Sequence, residues 1–235
     1  MHGLDLRLLV YCFIAVVIAT LVFRRVLALR RTRALSKAAQ ELGFSFKAAD
    51  RGDGAELIQM GPLLALGLLK NSRQYENIMT GTFAGLKTSL FDFRVQTVAA
   101  YSQGVDFPYF KMGPQTSWAP DRAIQRAADS LFPQASHDFE SHPDFSRRYS
   151  LVWSLNDQRK NDELKELFSP ALLTFLLELP PENGWHIEGA GAVLIVYREG
   201  KTVRAGEFRS FLDETSAIAR AFFSLCGLKK PTALT

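Results

Sequence analysis

The chain has 235 residues, 47% of them hydrophobic and 18 of them phenylalanine, enough apolar material to bury a sizeable core. Its formal charge of +4 is not a nucleic-acid footprint. Residues 1–33 hold six of the 28 Lys+Arg and one of the 24 Asp+Glu, so the remainder is formally −1, where phosphate-backbone binding needs a basic face.

The run Leu8–Phe23 contains no charge and is apolar on every face, which speaks against a short core helix. As a helix it reaches ~24 Å, and Leu4, Leu6 and Val26–Leu29 complete a crossing if Arg7, Arg24 and Arg25 extend to the headgroups. A cleaved signal peptide would place basic residues before the run and a small-x-small site after it. Here Arg24-Arg25 follows instead, and an uncleaved anchor is the better reading. Arg24, Arg25, Arg30, Arg31 and Arg33 lie after the run and only Arg7 before it. This bias predicts the N-terminus outside and the bulk of the chain in the cytoplasm. The five arginines sit where anionic lipid headgroups would be, although a plain topology signal is the better full explanation of them. Two cysteines, Cys12 in the apolar run and Cys226 near the far end, offer no intrachain disulfide framework, in keeping with a reducing compartment.

From Arg24 to Leu42 good helix formers predominate, with Gly43 at a natural stop, so the membrane helix should continue as a stalk. Leu35, Ala38, Ala39 and Leu42 recur at helical spacing and can dock it onto the domain. Phe44–Phe46 reads as a short strand and Asp50–Gly54 as a turn. Leu57–Leu69 is strongly apolar but interrupted by Gly61-Pro62 and too short to span. It suits a core helix, or alternatively an apolar surface resting on the bilayer or a partner.

Ile78–Phe83 and Leu86–Val95 read as paired strands about an Ala84-Gly85 turn. Val98–Tyr101 and Phe107–Met112 extend them into an antiparallel meander, and Pro120–Leu131 reads as a helix stopped by Pro133. Strands are expected at His137–Phe139 and Arg147–Ser154, and helices at Asn161–Phe168 and from Ser169-Pro170 to Leu179. Trp185–Glu188 and Ala192–Tyr197 suggest a hairpin across Gly189–Gly191. A last helix, Glu207 to about Cys226, places Phe208, Phe211, Leu212, Thr215, Ile218, Ala219 and Phe222 on one face. The βαβ alternation of a parallel sheet is missing, so the expected class is α+β, an antiparallel sheet packed with helices. Residues 1–33 form the anchor and basic collar and 34–235 the cytoplasmic domain, with a possible sub-boundary near 133–137.

The segments FDFRV (Phe91–Val95), HPDFSRRYSL (His142–Leu151), LFSPALLTFLLEL (Leu167–Leu179) and AVLIVYR (Ala192–Arg198) together resemble a family of uncharacterised bacterial single-pass membrane proteins. The resemblance implies a membrane helix followed by a cytoplasmic α+β domain at a bacterial inner membrane, and no assigned activity.

The densest set of candidate ligands is His137–Asp144. On a strand, Asp138, Glu140 and His142 would share a face and suit a divalent metal, although Pro143 ends regular structure at once. Gly81–Thr88 departs from a phosphate loop because Leu86 separates Gly85 from Lys87 and both flanks read as strands. No helix starts at Gly189–Gly191 to make a dinucleotide turn, and no GxSxG elbow occurs. Cys226 lies at a helix C-terminus, which raises a thiol pKa. His186 reads as a packing or surface histidine, and Trp118, Trp153 and Trp185 as core or interface anchors. The leading expectation is a non-catalytic protein-interaction module at the membrane, with no cofactor. The alternatives are a membrane-tethered metal enzyme using Asp138, Glu140 and His142, and an anionic-lipid sensor.

Overall fold

The computed structural model describes residues 6–50, 75–115, 134–136, 139, 142–154 and 158–227. Helix α1, Leu6–Leu42, is unbroken over 37 residues, about 55 Å. Gly43 ends it in the left-handed region (φ 70°), with the Gly43 N–H bonded to Gln40 O and the Phe44 N–H to Ala39 O. These two bonds close the last turn in the way a glycine stop permits. As the spacing predicts, Leu35, Ala38 and Ala39 are buried and Leu42 packs beside them.

Strand β1 (Ser45–Asp50) pairs with β2 (Tyr75–Phe83), and β2 with β3 (Leu86–Phe93) across a tight turn in which Ala84 and Gly85 have φ 50° and 82°. Positive φ at both central residues matches the strands' right-handed twist. Strand β4 runs from Gln96 to Pro114, so the two meander strands expected at 98–101 and 107–112 are halves of one 19-residue strand. The chain continues through register irregularities between Ser102 and Phe110. Pro108 sits within them, where its missing N–H removes no ladder bond.

Strand β5 (Gln134–Ser136) pairs with β6 (Tyr149–Ser154), and helix α2, Pro143–Arg148, precedes β6. Arg147 therefore closes a helix rather than opening a strand. Proline at the first helical position, Asp144 in the first turn and Arg147-Arg148 in the last all favour that helix. Helices α3 (Gln158–Leu167) and α4 (Pro170–Glu178) follow, the second starting at Ser169-Pro170 as expected.

Strand β7 is continuous from Trp185 to Arg198, which corrects the hairpin expected across Gly189–Gly191. It pairs antiparallel with β4 from Val98↔Tyr197 to Met112↔Ile187. The glycines serve close approach and local bending: a Cβ at Gly189 would overlap the Phe110 ring, and Gly191 has φ 54° beside the irregularity in β4. Helix α5, Phe208–Gly227, completes the described chain.

The fold is α+β. Among the described residues the strand order is β1-β2-β3-β4-β6-β5, with β7 along the other edge of β4. Strand β4 exchanges β3 for β6 as neighbour halfway along its length. One face of the sheet, with Leu86, Leu90, Tyr101, Phe110 and Leu194, packs against α1, α3, α4 and α5, and every residue expected on the apolar face of α5 is buried there. Alternate residues build a second cluster on the opposite face, with Tyr75, Phe91, Phe93, Val98, Ile195 and Tyr197.

Candidate membrane-proximal site

Where α1 leaves its apolar portion, one arginine ties it to the sheet. Arg31 Nε donates to Asp92 Oδ2 at 2.8 Å and Nη2 to Oδ1 at 2.7 Å, a forked ion pair, while Nη1 donates to Val203 O at 2.9 Å. Asp92 also accepts from Asn77 Nδ2 at 2.8 Å and from the Thr97 hydroxyl at 2.9 Å. Thr97 in turn accepts from the Val203 N–H, and Thr32 of α1 donates to Asn77 Oδ1 at 2.9 Å. Asp92 is 8% exposed and Arg31 27%. Asn77, at φ 53° in the irregularity between Glu76 and Met79, is a residue type that tolerates the left-handed region.

This network sets where along α1 the sheet is held. Arg31 and Thr32 of α1 meet Asp92 and Asn77, whereas Phe44, just past the end of α1, lies against Gly81. On the sheet, Gly81 is level with Thr88, and Thr88 to Asp92 spans about 13 Å. The Asp92–Gln96 end of the strands is therefore the end nearer the apolar portion of α1.

A second polar group lies on the opposite face. Glu188 is fully buried, accepts from the Tyr197 hydroxyl at 2.8 Å and lies 3.7 Å from Lys111 Nζ. Burial first, and then Glu188, push the Tyr197 hydroxyl pKa well up. His186 stacks on Tyr197 with ring centres 5.1 Å apart, places Nε2 3.5 Å from Glu199, and leaves Nδ1 without a hydrogen-bond partner. The packing histidine expected from the sequence is thus 15% exposed. Burial lowers its pKa below 6.5 and Lys111 lowers it further, while Glu199 opposes them. The unfolded chain then takes up a proton at higher pH than the folded one. Stability should therefore fall as pH drops through about 6.5 toward the folded-state value. His186→Gln should flatten that part of the curve of thermal midpoint against pH; an unchanged curve would show that the imidazole does not contribute.

Of the five collar arginines, Arg24, Arg25, Arg30 and Arg33 are exposed, whereas the Arg31 guanidinium is committed to Asp92. Of the metal candidates, Asp138 and Glu140 lie outside the described residues, and His142 caps α2 instead of continuing a strand. Phe139 is not in a strand either, and its N–H is bonded to Ser146 Oγ, so the alternation that would align the three is absent at both described positions. Among the described residues no three His, Cys, Asp or Glu side chains lie close enough to hold a metal ion. The Leu57–Leu69 stretch, the Pro120–Leu131 helix, Trp118 and the Cys226 side chain are also outside the described residues. Sequence reasoning missed Asp92, Asn77 and Thr97. The signal available was Asp92 itself, an acid on the side of the strand that carries Leu86 and Leu90.

These features define a class: an α+β protein whose helix-covered antiparallel sheet is locked to an N-terminal helix. Within that helix Leu9–Leu42 is long and apolar enough to cross a membrane, and its apolar window is wholly unburied. Among solved structures the chain is similar to the mycobacterial trehalose monomycolate transport factor A, TtfA, with a TM-score of 0.55 and 14% identity over 86% of this chain and 97% of that one. At that identity the likeness is one of fold. No protein-family model and no curated protein matches the chain, so the resemblance read from its motifs assigns no family.

Proposed function

We propose that this protein is a membrane-anchored, non-catalytic interaction module that holds its α+β domain against the membrane surface to engage another membrane protein. Residues 1–33 are the anchor and collar and 34–235 the cytoplasmic domain, with the N-terminus outside, an orientation supported by the arginine bias around the apolar run. The carrying observation is the Arg31–Asp92 network, which ties the stalk directly to the sheet with no linker between them. Such a joint favours a partner that must be met at fixed height and angle, because no ordering of the tether is lost on binding. TtfA, similar in fold, is named as a transport factor, and a role assisting transport across the membrane is in keeping with this reading.

The test is crosslinking in native membranes, comparing the wild-type chain with one carrying a flexible Gly/Ser insert between Leu29 and Arg30. One specific membrane-protein partner, retained by the wild type and reduced by the insert, is the expected result. Equal capture with and without the insert would remove the case for fixed placement. Turnover of a substrate by the purified chain, abolished by one substitution, would replace this reading with an enzyme.

A further inference from the structure

The turn between β3 and β4 stands apart in three ways. Val95, at 67% exposure, is the one large hydrophobic side chain outside α1 that is conspicuously exposed among the described residues. Arg94 beside it adopts φ 56°, a backbone state costly for a residue with a side chain and normally left to glycine at the first position of such a turn. The turn also lies at the membrane end of the sheet. Phe93 pairs with Gln96, so the tip extends about 7 Å past Asp92. Arg31 stands about 12 Å beyond Phe23, the last residue of the uncharged run. The tip, past Asp92, and the end of the apolar run, before Arg31, therefore lie on the same side of the Arg31–Asp92 joint.

A second basic group accompanies it. Lys201 is exposed, and its carbonyl accepts from the Thr97 N–H, two residues past Val95. The neighbouring Gly200 N–H is held by Gln96 Oε1. An exposed valine flanked by Lys201 and by Arg94, whose guanidinium lies 5.4 Å over the Phe93 ring with the residue still exposed, has the chemistry of a lipid-headgroup contact: basic groups for phosphates and one apolar side chain for the interface.

The geometry points to the β3–β4 turn as a second membrane contact, in which Val95 enters the headgroup layer and Arg94 and Lys201 bind anionic lipid phosphates. This rests on the membrane anchorage proposed above and adds to it a surface of the domain itself. It also accounts for the strained Arg94, since a turn selected for stability alone would carry glycine there.

The full-length chain, with Cys12→Ser and Cys226→Ser, would be reconstituted in bilayers containing phosphatidylglycerol. Single nitroxide labels would be placed at Val95→Cys, at Lys87→Cys near the far end of the hairpin, and at Val17→Cys in the apolar run. We expect a water-soluble nickel chelate to reach position 95 severalfold less than position 87. Shielding at 95 should diminish in pure phosphatidylcholine and in the Arg94→Gly, Lys201→Ala variant, whose thermal midpoint should be unchanged or raised. If 95 is as accessible as 87 while 17 is buried in hydrocarbon, the anchor stands and this contact is overturned. Access at both 17 and 95 overturns the anchor and the contact together. Shielding at 95 that is equal in phosphatidylcholine or in neutral detergent micelles identifies a protein contact such as a second copy, and also overturns it.

Discussion

Asp92→Ala should destabilise the full-length protein by about 3 kcal/mol, because it removes the acceptor for four hydrogen bonds at once. Arg31 is left with Val203 O and Thr97, and Asn77 and Thr97, 4% and 1% exposed, each lose a partner they cannot replace with water. A fully enclosed ion pair would cost ~3–5 kcal/mol to break, and the partial exposure of Arg31 places the value at the lower end. Arg31→Ala should cost less, about 2 kcal/mol, since Asp92 keeps the Asn77 and Thr97 donors. For a chain of this size a loss of 3 kcal/mol lowers the thermal midpoint by roughly 10 °C. The double variant should lose clearly less than the sum of the single losses, because the two side chains share one interaction. A loss below ~0.5 kcal/mol for Asp92→Ala would mean that the pair behaves as a solvated surface bridge and holds nothing in place.

Phe110→Ala should be the most damaging core substitution, at about 3–5 kcal/mol. The Phe110 ring is fully buried, stacks on Phe222 at 5.5 Å and meets Phe168 edge-on at 5.4 Å and Phe107 at 6.3 Å. Truncation leaves a cavity bordered by three rings that are themselves locked by neighbours. Gly189→Ala tests the same contact from the other strand. The new methyl would overlap the Phe110 ring, and overpacking of this kind costs about 1–3 kcal/mol. Phe110→Leu combined with Gly189→Ala should be more stable than the sum of the two single losses, since the smaller side chain vacates the space the methyl takes. Simple additivity of the two, measured by denaturant unfolding, would show that Gly189 is needed for backbone shape and not for the approach of the ring.

Elements set by neighbours in sequence were legible from the chain alone. The uncharged run, the stalk with its Gly43 stop, the β2–β3 hairpin, the Ser169-Pro170 helix start and the apolar face of α5 each depend on periodicity or capping within a few residues. Each is a local property, so the sequence by itself determined the α+β class and the candidate membrane helix. The tertiary structure decided which distant groups meet. Arg31 reads as one of five equivalent arginines until Asp92, 61 residues away, takes its guanidinium. Gly189–Gly191 reads as a turn until Phe110 of the partner strand requires the missing Cβ, and His142 reads as a strand residue until Pro143 starts a helix after it. Hydrogen bonding and packing between strands far apart in sequence leave no periodic trace along either one. For that reason the joint between stalk and sheet, and the exposed turn beside it, emerged only in three dimensions.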